Sequence, residues 1–494
     1  MKYALIIDQG TTSTRVIIFD QRGNIIFKLM KEFKQFYPYE GYILHDAEMI
    51  YNDVVELVSM ALTEVNIDYS DIIGVGITNQ RETTVVWDKI TNKPIYYAIV
   101  WQSNQSKKIC DDLIANGYEE LIYDKTGLVL NPYFSASKIK WILDNVDNAK
   151  ELMAEKRLLF GTIDSYLTYR LTGGIHVTDY TNASRTMLFN IHTLSWDDDL
   201  LQLFKIDKSM LPKVVSSNAI VGGICEPKIK NICNLEICAI VGDQHASLIG
   251  HTCFCEGDVK ITYGTGSFML LNTKDKAIKS NNGLLTTIAY VIDNKPTYAL
   301  EGSVFVAGSA FQFIRDNLEI VRTLSDEEFT QSDSNGVLFI PSLTGLGAPY
   351  WNSYCKGAIF GLTRATTKKD IAIATIEGVA LLNYDVLEAM KKDTNLKIQS
   401  VSVDGGASLN SNLMQFQSNI IQNNIYTLST SEATSLGAFY LVGLAKGLFK
   451  DFDDIKKLYK KNKIYKPKLL TTDIDDKICT WHKAIESLLY FSKK

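Results

Sequence analysis

The sequence predicts two related α/β domains, and three observations support this prediction. The chain has 494 residues, whereas a single hydrophobic core rarely grows beyond about 250–300 residues. Strand-like and helical runs follow one another in both halves, as they do in α/β proteins. A strand, a glycine turn and a second strand occur near residue 8 and again near residue 264, a spacing too wide for a solenoid repeat. We therefore divide the chain into residues 1–250 and 251–494, with the boundary near residues 245–258.

The first half opens with short strands and one long helix. Apolar runs bounded by turns at Gly10 and Gly23 predict strands over residues 3–7, 15–19 and 25–29. Apolar residues recur at a spacing near 3.6 over residues 47–65, which predicts an amphipathic helix. Further strands are predicted over residues 72–78 and 237–241.

The second half follows the same order. Strands are predicted over residues 257–263, 268–271 and 287–292, and a run over 298–306 leads into a helix over 309–317. A long helix over 371–390, a strand over 398–403 and a helix over 412–421 come next. The lysine-rich segment 450–468 is predicted to be a solvated helix face or loop, and residues 478–491 an amphipathic closing helix.

The composition is that of an ordinary globular protein. Hydrophobic residues make up 46% and charged residues 22% of the chain, which excludes a disordered protein. The net charge of −5 argues against a general nucleic-acid binder. No run approaches the ~20 apolar residues of a membrane span, and a strand at the N-terminus leaves no room for a signal peptide. The 8 cysteines contain no CxxC pair and are typical of reduced thiols, so we expect a cytoplasmic protein without nucleic-acid or membrane partners.

Polar, glycine-containing turns follow strands in both halves. They are DQGTTSTR (residues 8–15), GDQ (242–244), YGTGSF (263–268) and DGGA (404–407). Backbone N–H groups and hydroxyls in such turns suit phosphate oxygens, and a carboxylate at a strand end suits Mg²⁺ or proton transfer. Each turn alone is explained equally well by a plain hairpin, whereas their recurrence at strand ends indicates phosphate binding. No GxxxxGK[ST] loop and no helix-opening GxGxxG is present, which argues against a P-loop enzyme and a dinucleotide fold.

A second group of polar residues is suited to hydroxyl groups. Arg81 and Glu82 follow the strand over residues 72–78 and together supply donors and a carboxylate acceptor, enough to bracket vicinal hydroxyls. A surface ion pair is the alternative, and Trp101 and Tyr133 nearby could instead be core residues. Gly308 and Gln312 lie one helical turn apart, for which ordinary helix packing is the better explanation from spacing alone.

At these positions the sequence closely resembles the FGGY carbohydrate kinase family, and within it the members that phosphorylate glycerol. The matching segments span nearly the whole chain in the family's order. They are DQGTTSTR (8–15), ITNQRETT (77–84), NPYFS (131–135), TDYTNASRTMLFN (178–190), GDQ (242–244), YGTGSFML (263–270), NGLLTTIA (282–289), GLGAPYW (345–351), GAIFGLTR (357–364) and DGGA (404–407).

The resemblance implies two actin-like (ribonuclease H-like) ATPase domains with ATP in a central cleft. It implies ATP-dependent phosphorylation of glycerol to sn-glycerol 3-phosphate, with an aspartate general base and Mg²⁺. A homo-oligomer is expected, with a dimer favoured. Two alternatives stay open: another polyol or sugar kinase of the family, and an actin-like ATPase that phosphorylates no small molecule.

The resemblance also assigns roles to residues. Asp243 matches the general base, and Trp101 and Phe268 match the apolar wall of the substrate site. The positions that hydrogen-bond glycerol are Arg81, Glu82, Tyr133, Asp243 and Gln244. The phosphate loop is Thr11, Thr12, Ser13 and Arg15, and the nucleotide positions of the second domain are Thr265, Gly308, Gln312, Gly406 and Asn410. Asp8 and Asp243 are expected to lie near Mg²⁺.

Three departures from the family pattern bear on function. Residues 103–106 read SNQS where the family commonly has one or two arginines, which puts in doubt a contact near the cleft or a subunit surface. His245 replaces a residue that is more often glutamine, and we expect a packing or supporting role for it. Some family members bind fructose 1,6-bisphosphate through a glycine-rich, arginine-containing loop. The matching residues 227–236 contain neither glycine nor arginine, so we expect no inhibition through them.

Overall fold

A computed structural model describes residues 1–229, 235–323, 325–329 and 333–493. The strands of the first half are β1 Tyr3–Gln9, β2 Ser13–Asp20, β3 Ile25–Glu32, β4 Gln35–Phe36, β5 Leu44–His45, β6 Ile72–Asn79, β7 Val85–Asp88, β8 Lys93–Pro94, β9 Ala98–Ile99, β10 Leu158–Gly161, β11 Val177–Asp179, β12 Phe189–Asn190, β13 Ser195–Trp196, β14 Lys213–Val215, β15 Gly222–Gly223 and β16 Glu236–Gly242. Those of the second half are β17 Asp258–Tyr263, β18 Ser267–Lys274, β19 Leu285–Ile292, β20 Lys295–Val304, β21 Leu338–Ile340, β22 Ala358–Phe360, β23 Ser400–Asp404, β24 Ile425–Leu428 and β25 Lys461–Tyr465.

The α-helices are α1 Ala47–Glu64, α2 Lys107–Ala115, α3 Glu119–Thr126, α4 Ser135–Asn145, α5 Ala149–Ala154, α6 Ile163–Leu171, α7 Tyr180–Ala183, α8 Asp198–Phe204, α9 Asp243–Gly250, α10 Gly308–Gln312, α11 Lys368–Thr394, α12 Ser411–Ile421, α13 Ala433–Ala445, α14 Phe452–Leu458 and α15 Thr471–Phe491. Local chemistry sets several of these boundaries. Asp46 caps α1 by accepting from the backbone of Glu48 and Met49, and Thr367 and Asp370 form a capping box at the start of α11.

Each half of the chain is built on one large mixed sheet. The first has six strands in the order β15-β16-β6-β1-β2-β3, and the second has seven in the order β19-β20-β18-β17-β23-β24-β25. In both, three antiparallel strands (β1–β3; β17, β18 and β20) are joined by parallel pairing to two later ones (β6 and β16; β23 and β24). The shared order confirms the prediction of two α/β domains of similar architecture.

The first sheet is covered by helices on both faces. Side chains alternate along a strand, so Leu5 and Ile7 of β1 pack with α1 and α6. Ala4 and Ile6, on the other face, pack with α9 and α13. A sheet buried on both faces has near-continuous apolar strands, which is why these strands were readable from the sequence.

Helix α13 belongs to the second half of the sequence but packs against β1, β6 and β16 of the first sheet. Helices α13 and α9 cross at glycine residues. A Cβ at Gly437 would lie 1.8 Å from the carbonyl oxygen of Ala246, and one at Gly250 would lie 2.0 Å from that of Ala433. Only residues without a side chain allow the two backbones to approach this closely. The domain division at residue 250 stays a prediction, and α13 shows that the chain returns to the first sheet after it.

The second sheet shares the α9–α13 layer. Leu270, Ala289 and Ala299 face these helices, whereas Val259 and Ile261 face the core built by α11, α12 and α15. The molecule is therefore layered, with α9 and α13 between the two sheets. The polar ends of the strands next to this layer form the candidate site.

Two predicted segments differ from the structure. The helix predicted over residues 309–317 is the short α10 followed by a π-helical turn, Phe313–Asn317. The lysine-rich segment 450–468 contains α14 and also β25, an edge strand of the second sheet whose side chains are mostly exposed. Charged side chains are common on edge strands, where they oppose pairing with other chains, so charge alone did not reveal a strand.

Among the residues that the structure describes, no helix is both long enough and apolar enough to cross a membrane. The seven cysteines in the same ranges are free thiols.

Candidate active site

A cavity of about 350 Å³ lies between the two halves, and many of the residues predicted for the site line it. From the first half these are Thr11, Thr12, Arg81, Glu82, Trp101, Tyr133, Asp243 and Gln244, and from the second half Thr265 and Phe268. Gln35, Tyr37, Gln102, Gly266 and Phe305 complete the lining. Asp8, Ser13, Arg15, Gly308, Gln312, Gly406 and Asn410 are not part of it.

Strand register explains why residues distant in sequence meet here. Gln9 of β1 pairs with Asn79 of β6, and Asn79 pairs with Gly242 of β16, all in parallel strands. The carboxyl ends of parallel strands meet at one edge of a sheet, where ligands of open α/β sheets bind. The residues that follow these strands, including Arg81 and Asp243, therefore converge on the cavity.

Four buried charged side chains form a closed network behind the cavity. Arg81 donates to both carboxylate oxygens of Glu301, at 2.6 and 3.0 Å. Arg185 donates to Glu82 at 2.6 Å and to Glu301 at 2.9 Å. All four are at most 3% exposed. Glu301 lies on β20, whereas the other three belong to the first half, so the network joins the halves.

The network balances the charges of two arginines and two glutamates that are buried together. Burial alone would raise the pKa of Glu301, but Arg185 and Arg81 hold that pKa well below its ordinary value. Burial would likewise lower the pKa of Arg81, and Glu301 and Glu82 keep it well above its ordinary value. Buried ions are tolerated only when paired and hydrogen-bonded. Arg81 and Glu82 are therefore fixed in orientation rather than free at a strand end.

Aromatic rings form one side of the cavity. The ring of Trp101 packs edge-on against Tyr133 at 5.5 Å and against Phe268 at 5.9 Å. Its indole nitrogen donates to the hydroxyl of Thr11 at 3.0 Å. Edge-to-face contacts with a polar anchor restrict ring rotation, so the wall is held in one arrangement.

Asp243 begins α9 and lies at the floor of the cavity, with 28% of its side chain exposed. One carboxylate oxygen is 3.4 Å from Nε of Arg81 and accepts from the backbone N–H of Gln244 at 2.6 Å. Burial raises the pKa of this carboxyl, and Arg81 and Lys260 oppose that rise. The group is thus partly accessible from the cavity.

Asp8 lies at the end of β1, buried just behind the cavity. Its Oδ2 accepts from the hydroxyl of Ser435 at the start of α13, at 2.7 Å. Burial raises the pKa of Asp8 to about 6; Arg15 opposes this rise, and the charge of Asp243 adds to it. The two carboxyls therefore sense each other's charge.

The remaining positions of the predicted phosphate loop have structural contacts. The carbonyl of Ser13 accepts from the N–H of Gly10 at 2.9 Å, which closes the turn between β1 and β2. Arg15 points away from the cavity and pairs with Glu432 at 3.4 Å. Thr11 and Thr12 are the members of this loop that face the cavity.

Gly308 adjoins the turn that carries Thr265. Its N–H donates to the carbonyl of Gly264 at 2.9 Å, and a Cβ there would lie 2.4 Å from that oxygen. Only glycine lets α10 begin this close to the turn. Gln312, one helical turn further, is exposed, so its predicted contact with nucleotide stays a prediction.

Gly406 and Asn410 lie beyond the end of β23. A Cβ at Gly406 would meet nothing within 4 Å, so the backbone there is open to a flat ligand. Asn410 caps α12, and its side-chain oxygen accepts from the N–H of Leu413 at 2.8 Å. The structure thus gives Asn410 a capping role in addition to the role predicted from the resemblance.

The residues that depart from the family pattern make ordinary packing and hydrogen-bond contacts. Ser103 is buried, and its hydroxyl accepts from the N–H of Ile43 at 3.1 Å; it also donates to Gln105 at 3.2 Å. His245 is buried beside Thr287 at 3.4 Å, and burial lowers its pKa well below the ordinary value, as expected for a neutral packing residue. Of residues 227–236, those numbered 230–234 lie outside the described part of the chain.

Sequence reasoning missed four residues of the site: Arg185, Glu301, Lys260 and Lys138. Lys138 is buried, and its ammonium donates to the carbonyls of Tyr133 and Phe134. Glu301 and Lys260 lie in the buried part of strands whose other buried residues are mostly apolar, although β17 also contains Asp258. A charged residue in such a strand must have a buried partner, and this signal could have marked both as candidates.

We expect Glu301→Gln to lower the free energy of unfolding by about 3–5 kcal/mol, the usual cost of breaking a buried ion pair. The amide is neutral and has one acceptor oxygen in place of two, so both guanidinium groups lose their shared negative partner and at least one of their N–H groups loses its acceptor. Chemical denaturation followed by tryptophan fluorescence measures the change. Glu256→Gln, the same substitution in the exposed pair with Lys276, is the control and should leave the midpoint unchanged. Equal midpoints for both variants would contradict the prediction.

Comparison with known proteins agrees with this architecture. The sequence model of the N-terminal domain of the FGGY family of carbohydrate kinases matches residues 3–250, and that of the C-terminal domain matches residues 259–445. The crystal structure of Plasmodium falciparum glycerol kinase with ADP is 35% identical, superposes with a TM-score of 0.94, and matches over 99% of this chain and 98% of that one.

Two further structures share the fold. Xylulose kinase from Lactobacillus acidophilus, with ligand bound, is 24% identical with a TM-score of 0.86 over 99% of this chain and 98% of its own. Gluconate kinase from the same organism is 24% identical with a TM-score of 0.85 over 99% of this chain and 97% of its own. With its two actin-like α/β domains and the cleft between them, the chain belongs to the FGGY family of carbohydrate kinases.

Proposed function

We propose that the protein phosphorylates glycerol with ATP to give sn-glycerol 3-phosphate. The observation that carries this proposal is the small cavity in which Arg81, Glu82 and Asp243 converge under a wall of packed aromatic rings. Three polar groups match the three hydroxyls of a three-carbon polyol, and the rings match its C–H faces. The 35% identity to Plasmodium falciparum glycerol kinase supports the same substrate.

The polar groups differ in chemistry, which orients a polyol. Arg81 is donor-only, whereas the carboxylates of Glu82 and Asp243 are acceptors. Because Arg81 and Glu82 are held by Glu301 and Arg185, they stay in place before the polyol binds. Pre-organised groups lose little freedom on binding, which favours one orientation of the substrate.

Asp243 is the proposed general base. It accepts the proton of the attacking hydroxyl as the oxygen bonds to the γ-phosphorus of ATP and the bond to ADP breaks. Phosphoryl transfer has a loose transition state, so positioning and charge neutralisation dominate the catalysis. The Arg81 guanidinium at 3.4 Å orients the carboxylate, and the turn carrying Thr11 and Thr12 offers donors to the transferred phosphate.

Asp8 and Asp243 are the residues that would hold Mg²⁺. Asp8 is buried and Asp243 is partly exposed to the cavity, and the two carboxyls interact through charge. One oxygen of Asp8 already accepts from Ser435. One or two carboxylates together with substrate phosphates are the usual ligands of this ion, so the donor set fits. When bound, Mg²⁺ supplies positive charge next to the phosphates.

Nucleotide binding is proposed for the second half. Thr265 faces the cavity, Gly308 adjoins its turn, and the open backbone at Gly406 offers room for a base. Gln312 and Asn410 complete the proposed set. A cytoplasmic location, a homodimer and the division at residue 250 are part of the same proposal. The location rests on the cysteine pattern, the dimer on the resemblance to the family, and the division on the recurring strand–turn–strand pattern.

Asp243→Asn should fold normally but lose about 10²–10⁴-fold in kcat, because an amide cannot take the proton of the hydroxyl. A coupled assay for ADP release in the presence of glycerol measures this, with thermal unfolding as the check on folding. If the variant kept about a tenth of the wild-type kcat, above the range expected for loss of a general base, Asp243 would not be the base.

The activity should rise with pH across the acid range. Both Asp8 and Asp243 must be ionised to act, and burial raises both pKa values, that of Asp8 to about 6. Protonation therefore removes activity as the pH falls through this region, well above the range of an exposed aspartate. The measurement is kcat/KM for glycerol against pH at two Mg²⁺ concentrations. A higher Mg²⁺ concentration should shift the loss of activity to lower pH, because metal and protons compete for the same carboxylates. If the pH at which activity is lost did not change with Mg²⁺, Asp8 would not be a metal ligand.

Glycerol should exceed both propane-1,2-diol and xylitol in kcat/KM by at least ~10-fold. The diol leaves a buried polar group unpaired, whereas the longer polyol meets the aromatic wall. Phe268→Ala should reduce the difference in kcat/KM between glycerol and xylitol but not that between glycerol and the diol, because only xylitol is too long for the aromatic wall. Steady-state series with the three polyols on both proteins measure this. Equal kcat/KM for glycerol and xylitol on the wild type would favour a broader sugar kinase.

A further inference from the structure

A buried lysine lies directly beneath the polyol site, and the proposed mechanism does not use it. Lys260 is on β17, at the centre of the second sheet, and its side chain is fully buried. An ammonium group carries three donors and no acceptor. All three have acceptors here: the side-chain oxygen of Gln244, the hydroxyl of Thr262 at 2.7 Å and the carbonyl of Phe268 at 3.5 Å.

Two of these acceptors belong to residues that line the cavity. Gln244 comes from the first half, and Phe268, from the second half, is part of the aromatic wall. Lys260 thus connects two sides of the site from below. Burial lowers the pKa of Lys260 to about 8, and the carboxyls of Asp404 and Asp243 oppose this fall. The amine is therefore mostly charged at neutral pH and acts as a donor.

The contact with Gln244 has a chemical consequence. A side-chain amide can turn over and present either its oxygen or its NH₂ group to a ligand. Because Lys260 can only donate, the amide oxygen must face it, and the NH₂ group is left for the cavity and for the Asp243 carboxyl with which Gln244 also interacts. The reverse orientation would set NH₂ against an ammonium and oxygen against a carboxylate.

We propose that Lys260 is a positioning residue that locks the amide of Gln244, so that Gln244 only donates to the polyol while Asp243 beside it only accepts. A hydroxyl between the two then receives a hydrogen bond on its oxygen and directs its own proton to Asp243. This inference rests on the proposed function in taking the ligand to be a polyol. It does not depend on which polyol is bound.

The alternative role for Lys260 is to neutralise Asp243 and Asp404, independently of Gln244. A double-mutant cycle separates the two, because residues that act through each other give non-additive effects. The variants are Lys260→Met, Gln244→Ala and the double variant, assayed with whichever of glycerol, xylitol and propane-1,2-diol the wild type uses best. If the wild type prefers another polyol, glycerol is refuted as the substrate, but the double-mutant cycle measured with that polyol still tests the role of Lys260.

We expect each single variant to lower kcat/KM for the polyol by about 10-fold, the effect of one lost hydrogen bond. The double variant should be no worse than Gln244→Ala alone, and KM for ATP should change by less than about 2-fold, within the range expected for a site not touched. Lys260→Arg, which keeps a donor-only cation, should retain more activity than Lys260→Met. Lys276→Met, at an exposed lysine, is the matched control.

Two results would overturn the proposal. The first is a fold-loss of kcat/KM in the double variant equal to the product of the fold-losses of the two single variants. The second is a raised KM for ATP in Lys260→Met with an unchanged KM for the polyol, which would assign Lys260 to nucleotide binding. If Lys260→Met fails to fold, Gln244→Glu decides, because it keeps an oxygen for Lys260 but offers no donor to the cavity. Its kcat/KM should be no higher than that of Gln244→Ala, and wild-type activity would refute the need for a donor.

Discussion

The site depends on one closed set of buried charges. Arg81 and Arg185 share Glu301, and Arg185 also holds Glu82. In a region of low dielectric, removing any one member leaves another uncompensated, at a cost of several kcal/mol. The set therefore forms as a unit, and it forms only when β20 of the second half meets the strand ends of the first. The residues proposed to bind the polyol, Arg81 and Glu82, are therefore held in place only where the two halves meet.

Around this set, the layered architecture supplies complementary charges at short range. The first turn of α9 carries Asp243, where the helix dipole favours a negative charge, and the preceding strand β16 places it at the cavity floor. Lys260 approaches from the second sheet beneath it. Charged groups from both halves thus meet at the cavity, with α9 and α13 packed between the two sheets.

Much of the fold could be predicted from the sequence because its strands are buried on both faces and its turns contain glycine. The strand ends at Asp8, Arg81 and Asp243 followed from that pattern, and the resemblance to the family supplied their proposed roles. Glu301 and Lys260 did not follow, because a charge inside an apolar strand shows that a partner exists but not which one. The partner of Glu301 is more than a hundred residues away in sequence, and only the tertiary structure brings it close. The edge strand β25 was missed for a related reason, since its exposed lysines are typical of loops as well as edges.

The return of α13 to the first sheet has a consequence for how the protein is made. One face of that sheet is covered by α9 and α13, and α13 is anchored there by Ser435 and Glu432, which contact Asp8, Arg15 and Lys28. A chain emerging from the ribosome therefore cannot fully cover this face of its N-terminal sheet until residues 433–445 have been synthesised. Until then the sheet exposes apolar residues such as Ile6 and Phe19, the kind of surface that chaperones bind on nascent chains. The first half is thus completed only after most of the second half has been translated, since α13 follows β24 in the chain.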